Sequence, residues 1–138
     1  MCGIVGYTGN KPAQEIVIES LKKLEYRGYD SSGIALHEGE IVFSKKEGPI
    51  ANLESVLGLS NSRMAIAHTR WATHGVPSDV NSHPHLSNDG KIAVVHNGTI
   101  DNYLDIKSSL VNEGFNFLSE SDTELSLTHL TLPTTYHV

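Results

Sequence analysis

The chain has 138 residues, 38% hydrophobic and 19% charged, with a formal net charge of -6. That is the balance of one globular domain with a single core, and it excludes a disordered tail. No basic run offers itself to a phosphate backbone, no apolar stretch nears the length of a membrane span, and no charged-then-apolar leader opens the chain, so nucleic acid, membrane and secretion are not expected.

Residues 2–7 (CGIVGY) are short, apolar and glycine-rich, and predict a buried strand. Asn10 and Pro12 offer an N-cap and an early proline to a helix that carries Ile16, Leu21 and Leu24 and is closed by Gly28. Residues 32–37 and 41–44 flank Glu38-Gly39-Glu40 and read as a hairpin. Residues 49–57 predict a short helix. Residues 64–69 and 91–96 are apolar runs of strand length. Between them, residues 74–90 are rich in Gly, Pro, Ser, Asn and His, and read as a long surface loop of the kind that often carries function. Residues 101–112 predict a helix through Leu104, Ile106, Leu110 and Val111, closed by Gly114. Residues 125–138 (LSLTHLTLPTTYHV) hold no acidic or basic residue and suit a strand as well as a helix, with Pro133 set to stop a helix. Strands and helices mix without a regular βαβ alternation. The near-continuous apolar strands predict sheets buried on both faces, hence a layered α+β sandwich and not a doubly wound fold.

The single cysteine, Cys2, precludes an internal disulfide and fits a reducing cytoplasm. A lone cysteine is ordinarily a small buried hydrophobe. At position two, however, removal of Met1 gives it a free α-amine, whose reference pKa of roughly 7.7–8.0 suits a base near neutral pH. Nucleophile and base then share one residue, with the thiolate attacking. Gly3 and Gly6 allow close approach beside it. His68-Thr69-Arg70-Trp71-Ala72-Thr73-His74-Gly75 gathers polar donors after a strand. There Arg70 can clamp a carboxylate or form a surface ion pair, and Trp71 can wall a pocket or fill the core. Asn97-Gly98 reads as a turn, or as an oxyanion hole made from the Asn97 amide and the Gly98 N–H. Asp122 can cap a helix or bind an ammonium group. Eight histidines raise a metal reading, but with one cysteine and no HExxH the ligand spacing of zinc is missing, so His83 and His85 read as loop-packing residues.

Taken in order, Cys2-Gly3-Ile4, YRGYDSSG at 26–33, HTRWATHG at 68–75, His83-Pro84-His85, His96-Asn97-Gly98 and Ser121-Asp122-Thr123-Glu124 resemble the glutaminase domains of the class II glutamine amidotransferases, in the branch of the glucosamine-6-phosphate synthases (glutamine–fructose-6-phosphate aminotransferases). The resemblance covers residues 1 to about 124. It implies an N-terminal nucleophile hydrolase fold, a four-layer α/β/β/α sandwich of antiparallel sheets, incomplete in this chain. It also implies roles: Cys2 as nucleophile with its α-amine as base, Asn97 and Gly98 as oxyanion hole, and Arg27 as support. Arg70 would grip the glutamine α-carboxylate and Asp122 its α-ammonium, with Trp71, Thr73 and His74 around the bound amino acid. The implied reaction is glutamine hydrolysis through a γ-glutamyl thioester, with no metal or organic cofactor. A sugar-phosphate isomerase region that aminates fructose 6-phosphate follows in the intact family enzymes.

Amidophosphoribosyltransferase is the alternative branch, but its segments read more like His-Arg-Gly-Gln-Glu-Ser and Arg-Tyr-Ser-Thr; asparagine synthetase fits less well. The family domain is longer than this chain and continues past Glu124 as an amphipathic helix and further strands. Residues 125–138 therefore read as a divergent tail, through truncation or appended residues, beside a domain over 1–124. Half a sandwich exposes apolar sheet and strand edges. The expectation is marginal stability or self-association, as in a homodimer, and a chain that either turns over glutamine or is a silent fragment that only binds it.

Overall fold

The computed structural model describes residues 1–72 and 75–130, the last two for their backbone alone. In chain order the elements are β1 (Gly3–Thr8), α1 (Ala13–Lys22), a 3-10 turn (Glu25–Arg27), β2 (Ser31–His37), β3 (Ile41–Glu47), α2 (Ile50–Glu54), β4 (Met64–Arg70), β5 (His85–Leu86), β6 (Ala93–Val94), α3 (Tyr103–Asn112) and α4 (Thr123–Leu130). The first four strands make one antiparallel sheet in the order β1-β4-β2-β3, and β5 pairs with β6 in a second. β2 and β3 are the expected hairpin, turned through Gly39 at a φ of +82° that a side chain would resist.

Alternation along β2 and β4 sorts the layers. Ile34 and Leu36 lie opposite Ala67 and Ala65. All four join Ala13, Val17, Ile18 and Leu21 of α1 and Ile50 and Leu53 of α2 in one apolar core. The intervening residues, among them Gly33 and His68, face the other way, toward the second sheet, where His68 stacks on His83. β2 is therefore buried from Ser31 to Leu36, as befits a strand covered on both faces. α4 packs on β5 and β6, and α3 on α4. The layers run α/β/β/α, the expected α+β sandwich. Among the described residues no helix is long and apolar enough to cross a membrane.

Several element boundaries differ from expectation. α1 stops at Lys22, and a 3-10 turn separates it from Gly28. Asn10 does not cap it; Pro12 holds the N-cap position, and the Ala13 N–H is satisfied by the Ser62 carbonyl at 2.7 Å. Of residues 91–96 only Ala93–Val94 is strand. Residues 74–90 are not simply surface: they contain β5, and Asn81, Ser82, His83 and His85 are at most 5% exposed. Polar side chains can be buried when they are hydrogen-bonded, and here Ser82 Oγ donates to the Ser78 carbonyl at 2.6 Å. α4 runs without a break across position 124 and buries Leu125 and Leu127. Pro133 lies outside the described residues.

Candidate active site

In the β1–β4 ladder Gly3 lies opposite Thr69, whose Oγ1 accepts the Gly3 N–H at 3.1 Å. The next residues outward, Cys2 and Arg70, therefore meet at one end of the larger sheet. The Trp71 N–H donates to Cys2 Sγ at 3.3 Å, and Sγ lies 3.7 Å from the Trp71 carbonyl oxygen. Arg27, ending the 3-10 turn, donates from Nε to the Cys2 carbonyl at 3.2 Å. It is followed by Gly28, where a Cβ would meet the Arg70 carbonyl at 2.6 Å. Asn97 Oδ1 accepts the Cys2 N–H at 3.4 Å. With its oxygen so engaged, the amide keeps Nδ2 as a donor.

A cavity of about 210 Å³ opens on Cys2, and Arg70, Asn97, Gly98, Ser121 and Asp122 are among its walls. Pockets for drug-sized ligands begin at about 300 Å³, so this one suits a molecule of amino-acid size. Two opposite charges sit in its walls. Arg70, 3% exposed, donates to the Val76 carbonyl at 3.3 Å and to the Gly75 carbonyl at 3.2 Å. Burial pulls its pKa down from the ordinary value, against the pull of Cys2, Asp30, Asp122 and Glu120, and an arginine so placed remains a cation. Asp122, 4% exposed, accepts the Ile100 N–H on Oδ2 at 2.8 Å, which fastens the strand-to-helix connection under the cavity.

Behind the cavity lies a layer of histidines. His68 and His83 stack with ring centres 4.0 Å apart, and His85 meets His83 edge-on at 4.7 Å. His68 Nε2 pairs with the His96 carbonyl at 2.9 Å, and the His96 N–H donates to His83 Nδ1 at 3.3 Å. Burial lowers all three rings, His68 to about 4 and His85 to about 3, and lowers His83 as well. They are neutral packing groups between the sheets. Among the described residues no group of three or more histidine, cysteine or acidic side chains is arranged to hold a metal ion.

Six of the residues singled out by sequence line this one cavity: Cys2, Arg70, Trp71, Asn97, Gly98 and Asp122. Arg27 adjoins the Cys2 carbonyl and not the cavity. Thr73 and His74 lie outside the described residues. Trp71 is 48% exposed and meets Tyr29 edge-on at 6.2 Å, so it walls the rim and does not fill the core. His83, His96, Thr99, Ser121 and Thr123 also line the cavity. Of these, His83, His96, Ser121 and Thr123 stand in the motifs quoted above without a catalytic or binding role of their own, and Thr99 gave no sequence signal.

The family model of the glutamine amidotransferase domain matches residues 54–132. The chain belongs to this family. Isomerizing glutamine–fructose-6-phosphate aminotransferases are similar to it: that of Caldanaerobacter subterraneus subsp. tengcongensis is 57% identical over 91% of the chain, and that of Clostridium perfringens 56% over 91%. The Corynebacterium glutamicum protein is 51% identical, again over 91% of the chain. The chain spans about a fifth of the length of these relatives, 21% for the first two and 22% for the third. Among solved structures, the glutamine phosphoribosylpyrophosphate amidotransferase of B. subtilis complexed with ADP and GMP superposes with a TM-score of 0.83 at 29% identity, over 99% of this chain and 30% of that one. A structure of the allosteric regulatory enzyme of purine biosynthesis gives 0.84 at 30% identity, over 100% of this chain and 30% of that one. This glutamine amidotransferase domain thus has the N-terminal nucleophile hydrolase fold, and its identity is higher to the fructose-6-phosphate aminotransferases than to these two solved structures.

Proposed function

We propose that this glutamine amidotransferase domain hydrolyses the side-chain amide of glutamine through Cys2, once Met1 is removed. The observation that carries the reading is that Cys2 opens on a cavity whose walls hold a buried cation, Arg70, and a buried carboxylate, Asp122. An α-amino acid presents the opposite pair, a carboxylate for Arg70 and an ammonium for Asp122. Bound so, its side chain extends toward the sulfur.

The freed Cys2 amine takes the thiol proton, and the thiolate attacks the amide carbon. Negative charge develops on the amide oxygen, which Asn97 Nδ2 and the Gly98 N–H receive. Collapse of the tetrahedral adduct breaks the C–N bond, and the α-ammonium of Cys2 returns its proton to the leaving nitrogen, giving ammonia and a γ-glutamyl thioester. Water, deprotonated by the same amine, then cleaves the thioester to glutamate and the free thiol. Arg27 fixes the nucleophile's backbone through the Cys2 carbonyl. The family resemblance gives Thr73 and His74 a part in binding the amino acid. These steps need no metal or organic cofactor.

The aminotransferase relatives support a further step in an intact protein, in which a sugar-phosphate isomerase region receives the ammonia and aminates fructose 6-phosphate in the cytoplasm. The 57% identity to such a relative favours this branch over phosphoribosylpyrophosphate amidation.

Intact mass spectrometry tests the proposal. The chain is treated with methionine aminopeptidase and then with 6-diazo-5-oxo-norleucine, an electrophilic glutamine analogue. The expected result is one covalent adduct, suppressed by glutamine and absent in Cys2→Ala. A chain that has lost Met1 and forms no adduct would overturn the reading and leave a silent fragment.

A further inference from the structure

The loop whose carbonyls hold Arg70 is itself held by Asn81, and Asn81 is held by the turn that leads to Asp122. Asn81 is 3% exposed, and both ends of its amide are engaged. Its Nδ2 donates to the Val76 carbonyl at 2.9 Å and to Glu120 Oε2 at 3.1 Å. Its Oδ1 accepts the Glu120 N–H at 2.8 Å. Glu120 Oε2 also accepts the Val76 N–H at 3.3 Å, which closes a ring of hydrogen bonds. The Val76 carbonyl therefore receives both Asn81 Nδ2 and Arg70 Nη1. The ring leaves no slack: at Gly75, where φ is +76°, a Cβ would meet Asn81 Nδ2 at 2.7 Å and Glu120 Cβ at 2.8 Å.

We propose that Asn81 and Glu120 are positioning residues that set the spacing between the Arg70 guanidinium and the Asp122 carboxylate. They thereby tune selectivity for the α-amino-acid head of the substrate without touching it. This rests on reading the cavity as a glutamine site. Gripping a carboxylate bidentately requires a guanidinium fixed in its plane. Two nitrogens of Arg70 are anchored on consecutive carbonyls, and Asn81 and Glu120 hold the residue that supplies one of them. The same ring ends two residues before Asp122, so one structure references both charges. None of its hydrogen bonds reaches Cys2, Asn97 or Gly98.

The test compares two reagents on the Met1-free chain and on Asn81→Ala and Glu120→Ala. 6-Diazo-5-oxo-norleucine carries the amino-acid head, whereas iodoacetamide alkylates Cys2 without it. Labelling by the first should fall about tenfold in Asn81→Ala and about threefold in Glu120→Ala, the scale of one or two lost hydrogen bonds in a preorganised site, while alkylation stays within about twofold. Glu120→Gln, which retains an acceptor oxygen, should recover most of the rate. Glu120 is exposed, so its truncation leaves the core intact even if Asn81→Ala fails to fold. Unchanged labelling in Glu120→Ala, or a parallel fall with both reagents, would overturn the proposal. An unsubstituted chain that takes iodoacetamide but not the glutamine analogue would overturn the glutamine reading instead.

Discussion

The Cys2 backbone nitrogen lies 3.4 Å from Asn97 Oδ1, a contact between residues 95 positions apart in the chain. It brings the residue proposed as oxyanion donor to the atom proposed as base. Asn97 is then bound through its oxygen to Cys2, and its nitrogen remains the donor that the proposed oxyanion role requires. Asn97→Ala should lower kcat by about two to three orders of magnitude, the usual loss for one oxyanion donor. KM for glutamine should change little, because the donor acts on charge that exists only in the transition state. Steady-state glutaminase assays check this; a large rise in KM with kcat preserved would move Asn97 to ground-state binding.

Arg70→Lys should act on the other parameter. A lysine ammonium cannot bond two consecutive carbonyls and a carboxylate in one plane. The expected result is a rise in KM of about tenfold or more, with a smaller change in kcat. Glutamine titrations measure the split. Equal affinity in the lysine variant would remove Arg70 from the carboxylate clamp.

The histidine layer should make the fold acid-sensitive. Burial holds His68 near 4 and His85 near 3, below the value of 6.5 that an unfolded chain shows. Below pH 6.5 the unfolded chain therefore binds protons that the folded chain refuses. Their stabilisation is complete above pH 6.5 and declines as the pH falls toward the folded values, by about 1.4 kcal/mol per pH unit for each histidine. Urea unfolding at about pH 7, 6 and 5 measures the slope. His85→Phe should flatten it by one histidine's share; an unchanged slope would mean that His85 is not protonated differently in the two states.

Gly33→Ala should destabilise the domain without altering any site residue. A Cβ at Gly33 would overlap the His83 carbonyl oxygen and press the Pro84 ring at 3.0 Å. The second sheet approaches β2 over this glycine, and overpacking there costs about 1–3 kcal/mol. Thermal unfolding should show the loss, and a melting temperature equal to that of the unsubstituted chain would show that the sheets can part freely.

The larger sheet was legible because β1 to β4 are each six or seven residues long, enough for apolar runs and alternation to register. β5 and β6 are two residues each, too short for any period. Asn81 was illegible for a different reason: its partner Glu120 is 39 positions away, and nothing local distinguishes a buried, fully bonded asparagine from one in a surface loop. Cys2 and the Asn97-Gly98 pair could be picked out by chemistry alone, since position and residue type together suggested nucleophile and hole. Arg70 and Asp122 carried equal structural alternatives until the fold buried both beside the same cavity.

β1 is an edge strand, bonded to β4 on one side and to no strand on the other among the described residues. β4, which ends at Arg70, lies between two partners. The two halves of the chemistry are therefore anchored with unequal firmness. Edge strands detach in partial openings that leave a core intact. Amide exchange should run faster along β1 than along β4, and inactivation in denaturant should precede loss of the helical signal. On the proposed roles, Cys2 and not the Arg70–Asp122 pair is then the component whose local fraying sets the working lifetime of the domain.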